Sequence, residues 1–152
     1  MSQYYELGDR TLWNPSHGAS RLFMSQVTVY QAEVGLPSGI GPMEADECQI
    51  DPVAFAAFVD ALLTWHGKTR HAVMATLSEG FVATVLALAQ IADIEVSRQG
   101  ADRDESHCLK TASDPHAEEW TAELRQKSRD LVRHMAPSSA STSGDSGTWP
   151  YV

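Results

Sequence analysis

The densest chemistry in the chain lies in four near-adjacent residues: Glu44, Asp46, Glu47 and Cys48. Carboxylates this close can hold a hard cation, divide into acid and base, or present a negative surface to a basic partner. The spacing does not fit a calcium loop, which needs alternating Asp/Asn and a Glu at the twelfth position. No metal site is expected. A thiol beside carboxylates becomes a nucleophile only when an imidazole reaches it. His66 and His71 are the candidates for that role. With Trp13, at a strand end beside a helix start, they and Cys48 outline a candidate pocket. No motif around Cys48 marks a nucleophile, and cysteine is often simply buried. Gly39 and Gly41 lack the third glycine of a phosphate loop, and no Gly-x-Ser-x-Gly elbow occurs. No catalytic residue and no cofactor is assigned.

Composition narrows the classes. The 152 residues carry a net charge of −9, with 43% hydrophobic and 20% charged residues. No Lys/Arg cluster is dense enough to track phosphates, so nucleic-acid binding is not expected. The most apolar run, Phe81 to Ala92, includes Gln90 and falls short of the roughly 20 residues of a bilayer span. It reads as a core helix, and no membrane association is expected. The N-terminus lacks the basic and apolar regions of a secretory signal. Cys48 and Cys108 fit no disulfide or metal pattern. Both observations point to a cytoplasmic protein.

The elements that must position Glu44 to Cys48 follow from punctuation and period. Tyr4–Leu7 and Arg10–Trp13, joined by Gly8-Asp9, read as a hairpin. Ser16 caps a helix over 17–34, with Ala19, Leu22, Phe23, Val27, Tyr30 and Val34 on one face and Gly35 after its end. Glu47–Ile50 reads as a short strand. Asp51-Pro52 caps and opens a second helix, ending near His66-Gly67. Thr69 is expected to cap a third, strongly apolar region, which Ser78-Glu79-Gly80 could divide. Ile94–Val96 reads as a last strand joining the hairpin. The fold class is thus α+β and helix-rich: a small sheet with an N-terminal antiparallel hairpin, packed on three to four helices.

The polar last third divides differently. Residues 1–96 form the compact domain, 97–114 a linker, 115–135 a C-terminal helix with Trp120, Leu124, Leu131 and Met135 on one face, and 136–152 a disordered tail.

Leu12-Trp-Asn-Pro-Ser16, Gly35-Leu-Pro-Ser-Gly39 and Gly41 to Pro52 together resemble a family of small actinobacterial proteins of unknown function. The resemblance covers about residues 3 to 96 and implies a domain boundary there. It implies no activity, so no functional residue transfers from it.

Two functional readings remain. The first is a non-enzymatic binding protein of immunity or accessory type, presenting Glu44, Asp46 and Glu47 to a basic protein partner. A helix cap plus a solvated loop is its plain competitor. The second is a small enzyme or accessory subunit of a biosynthetic pathway, with a pocket at Cys48 and the 39–51 loop. A homodimer through the apolar central helix is compatible with either.

Overall fold

The computed structural model describes residues 2–96 and the helix 115–135, with side chains of that helix described from residue 122. The order of elements is β1 (Tyr4–Leu7), β2 (Arg10–Trp13), α1 (His17–Val34), β3 (Glu47–Gln49), α2 (Pro52–Lys68), α3 (Ala72–Ile91) and α4 (Pro115–Met135). The sheet order is β2-β1-β3. β1 pairs antiparallel with β2 and parallel with β3, so α1 is the crossover between the parallel strands.

The hairpin forms as its turn predicts. Gly8 has φ 61, and Asp9 is not left-handed. Positive φ at the first turn position alone is what Gly supplies. Inside the sheet, Tyr5 and Leu12 are fully buried.

The Ser16 hydroxyl accepts from Ala19 N at the start of α1, and Gly35 closes the helix at φ 75. The buried face is Ser20, Phe23, Val27 and Tyr30. Ala19 and Leu22, expected inward, face out, with Leu22 64% exposed. Ser20 takes the inward place because its hydroxyl meets the Tyr5 hydroxyl at 2.7 Å.

Asp51 Oδ1 accepts from Val53 N at 2.9 Å and Ala54 N at 3.0 Å, and Pro52 follows at the first helical position. α2 then runs through Gly67 to Lys68, one residue past the expected end. Thr69 terminates α2 in an extended conformation and does not start the next helix. His71 stands at the N-cap of α3 without a side-chain capping bond.

α3 is continuous across Ser78-Glu79-Gly80. It is therefore longer than the apolar run at 81–92 suggested. An 18-residue stretch of this 20-residue helix has a mean hydropathy of 1.8, so it is long and apolar enough by composition to cross a membrane. In this fold it is the core helix, with Phe81, Val82, Val85 and Leu88 fully or almost fully buried.

The strand expected at Ile94–Val96 does not form. α3 ends with Asp93 at φ 55, and Ile94 N donates back to Ala89 O at 2.9 Å. That reversal satisfies a helix-end carbonyl, and Asp93 meets β2 only through its ion pair with Arg10. The third strand is β3 instead. α4 docks on α3, burying Leu124, Ser128 and Met135, and Lys127 pairs with Glu79. Leu131 is half-buried on the expected face. The Trp120 side chain, the 97–114 linker and the 136–152 tail lie outside the described residues.

Candidate functional site

β3 is an edge strand, and the chain before it folds back along its outer side. Gly41 N donates to Gln49 O at 2.9 Å, and Ile40 bridges Ile50. Glu44 and Glu47 exchange both backbone hydrogen bonds, at 2.8 and 2.9 Å. Between them Ala45 and Asp46 have φ 50 and 67. Two successive left-handed residues closed by such a pair make a type I′ turn. Asp46 tolerates this conformation, but Ala45 does not favour it.

The turn is fixed from behind. Tyr4 N donates to Asp46 O at 2.8 Å, and Gln3 Nε2 donates to Asp46 Oδ1 at 3.4 Å. Asp46 is thereby half-buried, whereas Glu44 and Glu47 are exposed. Glu6 and Gln49 extend the polar surface along the sheet, joined by a 2.9 Å hydrogen bond from Gln49 Nε2 to Glu6 Oε2. Among the described residues, Glu6, Glu44, Asp46, Glu47 and Asp51 form no ion pair; the three pairs present involve Asp93, Glu79 and Asp130.

At the other end of this hairpin, where Ile40 bridges Ile50, lies a shallow groove of about 600 Å³, lined in part by Gln31, Pro37, Ile40, Gln49, Pro52 and Val53. Gly39 shapes its floor. A Cβ there would stand 2.5 Å from Phe55 N and 2.8 Å from Asp51 O, and its φ is 73. Only glycine lets this loop press so closely on the start of α2.

The four residues outlined as a pocket occupy different environments. Cys48 is 1% exposed on β3, and its thiol donates to Gly41 O at 3.1 Å. Burial pushes that thiol up to about 11. A thiol held protonated at neutral pH is a packing group, not a nucleophile. Trp13 is half-buried against Tyr5 and Phe23, at ring separations of 5.2 and 5.4 Å. His71 is exposed at the start of α3. None of these three, nor His66, lines the groove.

His66 is the informative one. It is 2% exposed, and its Nδ1 lies 2.7 Å from Ser78 Oγ. Ser78 Oγ is also 2.8 Å from Met74 O, its own helix carbonyl one turn back. The Tyr30 hydroxyl interacts with the same serine. One arrangement satisfies the whole chain: His66 Nδ1–H donates to Ser78, whose hydroxyl donates to Met74 O. Burial lowers the imidazole to about 4, with Glu79 acting the other way. The serine is buried and its proton is committed to the backbone, so the pair is a core polar contact and not an activated nucleophile. Sequence reasoning singled out His66 but not Ser78, because nothing local couples residues on separate helices.

These features define a small helix-rich α+β protein that presents a rigid acidic turn at its sheet edge. The chain matches a protein family described as a family of unknown function, DUF6086, over residues 1–137, and it belongs to that family. The match passes the boundary expected near residue 96 and includes α4, in keeping with the docking of that helix on α3. No curated protein and no solved structure matches the chain.

Proposed function

We propose that the protein is a non-enzymatic binding protein of immunity or accessory type, whose acidic turn engages a basic protein partner. The carrying observation is that Glu44 and Glu47 are exposed, form no ion pair among the described residues, and stand on a backbone closed by reciprocal hydrogen bonds. Unneutralised carboxylates on a held backbone meet a cationic side chain with little loss of backbone freedom. The groove at the open end of the same hairpin, with Pro37, Ile40 and the 78% exposed Val53, adds apolar surface along that sheet edge. A segment that pairs Lys or Arg with an apolar side chain suits that combination.

The test is capture from the native cell with tagged wild-type chain and with Glu44→Lys/Glu47→Lys. Asp46 is left alone because it holds the turn. The expected result is a basic protein retained at low salt by the wild type and lost by the variant. Equal retention by both would remove the acidic turn as the binding surface.

A further inference from the structure

A second groove, of about 370 Å³, runs between α1 and the chain that leads into β3. Its wall on α1 includes His17, Arg21, Met24 and Thr28, at steps of four, three and four, so they stand in one row along the helix. Met43 lines it from the segment before the acidic turn. Gln3 lines it near the start of α1, where the Gln3 backbone N–H donates to Pro15 O at 3.0 Å. The volume lies within the range of small-molecule sites, roughly 300–1,000 Å³.

The polar groups of the lining are left with capacity to bind. Arg21 is exposed and forms no ion pair among the described residues. The chain carries a net charge of −9, yet no described carboxylate lines this groove, so Arg21 meets no competing anion there. Gln3 is only 7% exposed, and its Nε2 donates to Asp46 Oδ1 at 3.4 Å. A carboxylate accepts from the amide nitrogen and not from its oxygen, so the amide has one orientation and Oε1 is its free end. That oxygen accepts no hydrogen bond among the described residues. The hydroxyls of Ser25 and Thr28, also in the lining, donate to Arg21 O at 2.9 Å and Met24 O at 3.1 Å. Their protons are committed to the helix, so what they offer a ligand is oxygen lone pairs.

We propose that this groove binds a free α-amino acid with a long, amide-tipped side chain, of the glutamine type. The Arg21 guanidinium takes the carboxylate. Gln3 Oε1 accepts from the α-ammonium, and the Asp46 carboxylate behind the amide strengthens that acceptor. Arg21 and Gln3 both lie toward the start of α1, and an α-amino acid carries its two charges on neighbouring atoms. Met24 and Met43 pack on the apolar stem of its side chain. The amide N–H groups at its tip donate to the Ser25 and Thr28 oxygens. Arg21 and Thr28 are about 10 Å apart along the helix, which an extended ligand of this size spans with its hydrogen bonds. A simple carboxylate would satisfy Arg21 alone and face Gln3 oxygen to oxygen. The groove uses neither Glu44 nor Glu47, so this site does not rest on the basic-partner reading. It is open to solvent, and a Kd of about 1 mM is expected.

Titration of the full, isotope-labelled chain with L-glutamine to about 20 mM, followed by backbone amide chemical shifts, tests this. Saturable shifts are expected at residues 17–28 and Met43. L-Norleucine lacks the amide tip, glutaramate lacks the α-ammonium and γ-aminobutyramide lacks the carboxylate. Each is expected to bind at least about fivefold more weakly than L-glutamine. Arg21→Ala is expected to weaken L-glutamine by a similar factor, and Arg10→Ala, whose guanidinium pairs with Asp93, to leave it unchanged. No saturable shift, shifts confined to another surface, any of the three analogues binding as well as L-glutamine, or Arg21→Ala binding as wild type would overturn the proposal. The analogues act on unaltered protein, so they decide alone if Arg21→Ala fails to fold.

Discussion

Ser78 Oγ stands 2.7 Å from His66 Nδ1 and ties α3 to α2 inside the core. The contact is buried on both sides, at 1% and 2% exposure. It gives the fold a titratable group that is stable only in its neutral form.

Acid sensitivity follows from that pair. The His66 imidazole is lowered to about 4 by burial, from an ordinary value of 6.5. The unfolded chain therefore binds the proton more readily than the folded one between these values. Stability is complete above about pH 6.5 and falls as the pH drops toward 4, by up to about 3 kcal/mol. Ordinary carboxylates titrate below about pH 5, so the decline between pH 6.5 and 5 reports His66. Urea unfolding across that interval should show it. His66→Gln should flatten the slope; a slope unchanged in that variant would refute the assignment.

Ala45 occupies a left-handed position at φ 50 without a glycine or asparagine to favour it. Ala45→Gly should stabilise the chain by about 1 kcal/mol and raise its melting temperature by several degrees. A lowered melting temperature would mean that Ala45 is not left-handed in solution.

Two glycines should respond to alanine in opposite ways. Gly39→Ala places a Cβ 2.5 Å from the Phe55 backbone at φ 73, so it should cost about 2 kcal/mol or more. Gly80 lies inside α3 with nothing within 4 Å of an added Cβ. Gly80→Ala should stabilise by about 0.5–1 kcal/mol. Chemical denaturation of both variants gives the two signs, and a reversal of either would contradict the loop or the helix as described.

Cys48 should resist modification in the folded protein. Its thiol is 1% exposed and pushed up to about 11 by burial. Mass spectrometry after a disulfide-exchange reagent should find Cys48 labelled only on unfolding. Labelling of native protein at the rate of a free thiol would restore the thiol-based pocket as a reading.

Local signals made much of the framework legible. Gly8-Asp9 turns the hairpin, Ser16 and Gly35 bound α1, and Asp51-Pro52 opens α2. These features depend on residues a few positions apart, which a sequence displays. Long-range partners do not appear that way. Ser20 points inward and Leu22 outward because of the Tyr5 hydroxyl, fifteen residues from Ser20. Asp93 turns the chain at the end of α3, and the β-favouring Ile94–Val96 forms no strand.

The acidic stretch was legible as composition but not as geometry. Ala45-Asp46 lacks the Asn-Gly signature of a type I′ turn. The conformation is imposed by Tyr4, Gln3 and the Glu44–Glu47 pair. That tertiary frame separates Asp46, which holds the turn, from Glu44 and Glu47, which are presented. The imagined pocket dispersed for a similar reason. Cys48 packs under its own loop, whereas His66 is drawn to Ser78.

The salt dependence of partner affinity tests the acidic-turn account most directly. With the partner captured by wild-type chain, affinity is measured at about 0.05 M and about 0.5 M salt for wild type and Glu44→Lys/Glu47→Lys. Wild-type affinity should fall by about tenfold or more between the two conditions, and the variant should bind weakly at both. Equal affinity and an equal salt slope in the two proteins would contradict the claim that this turn recognises a basic partner.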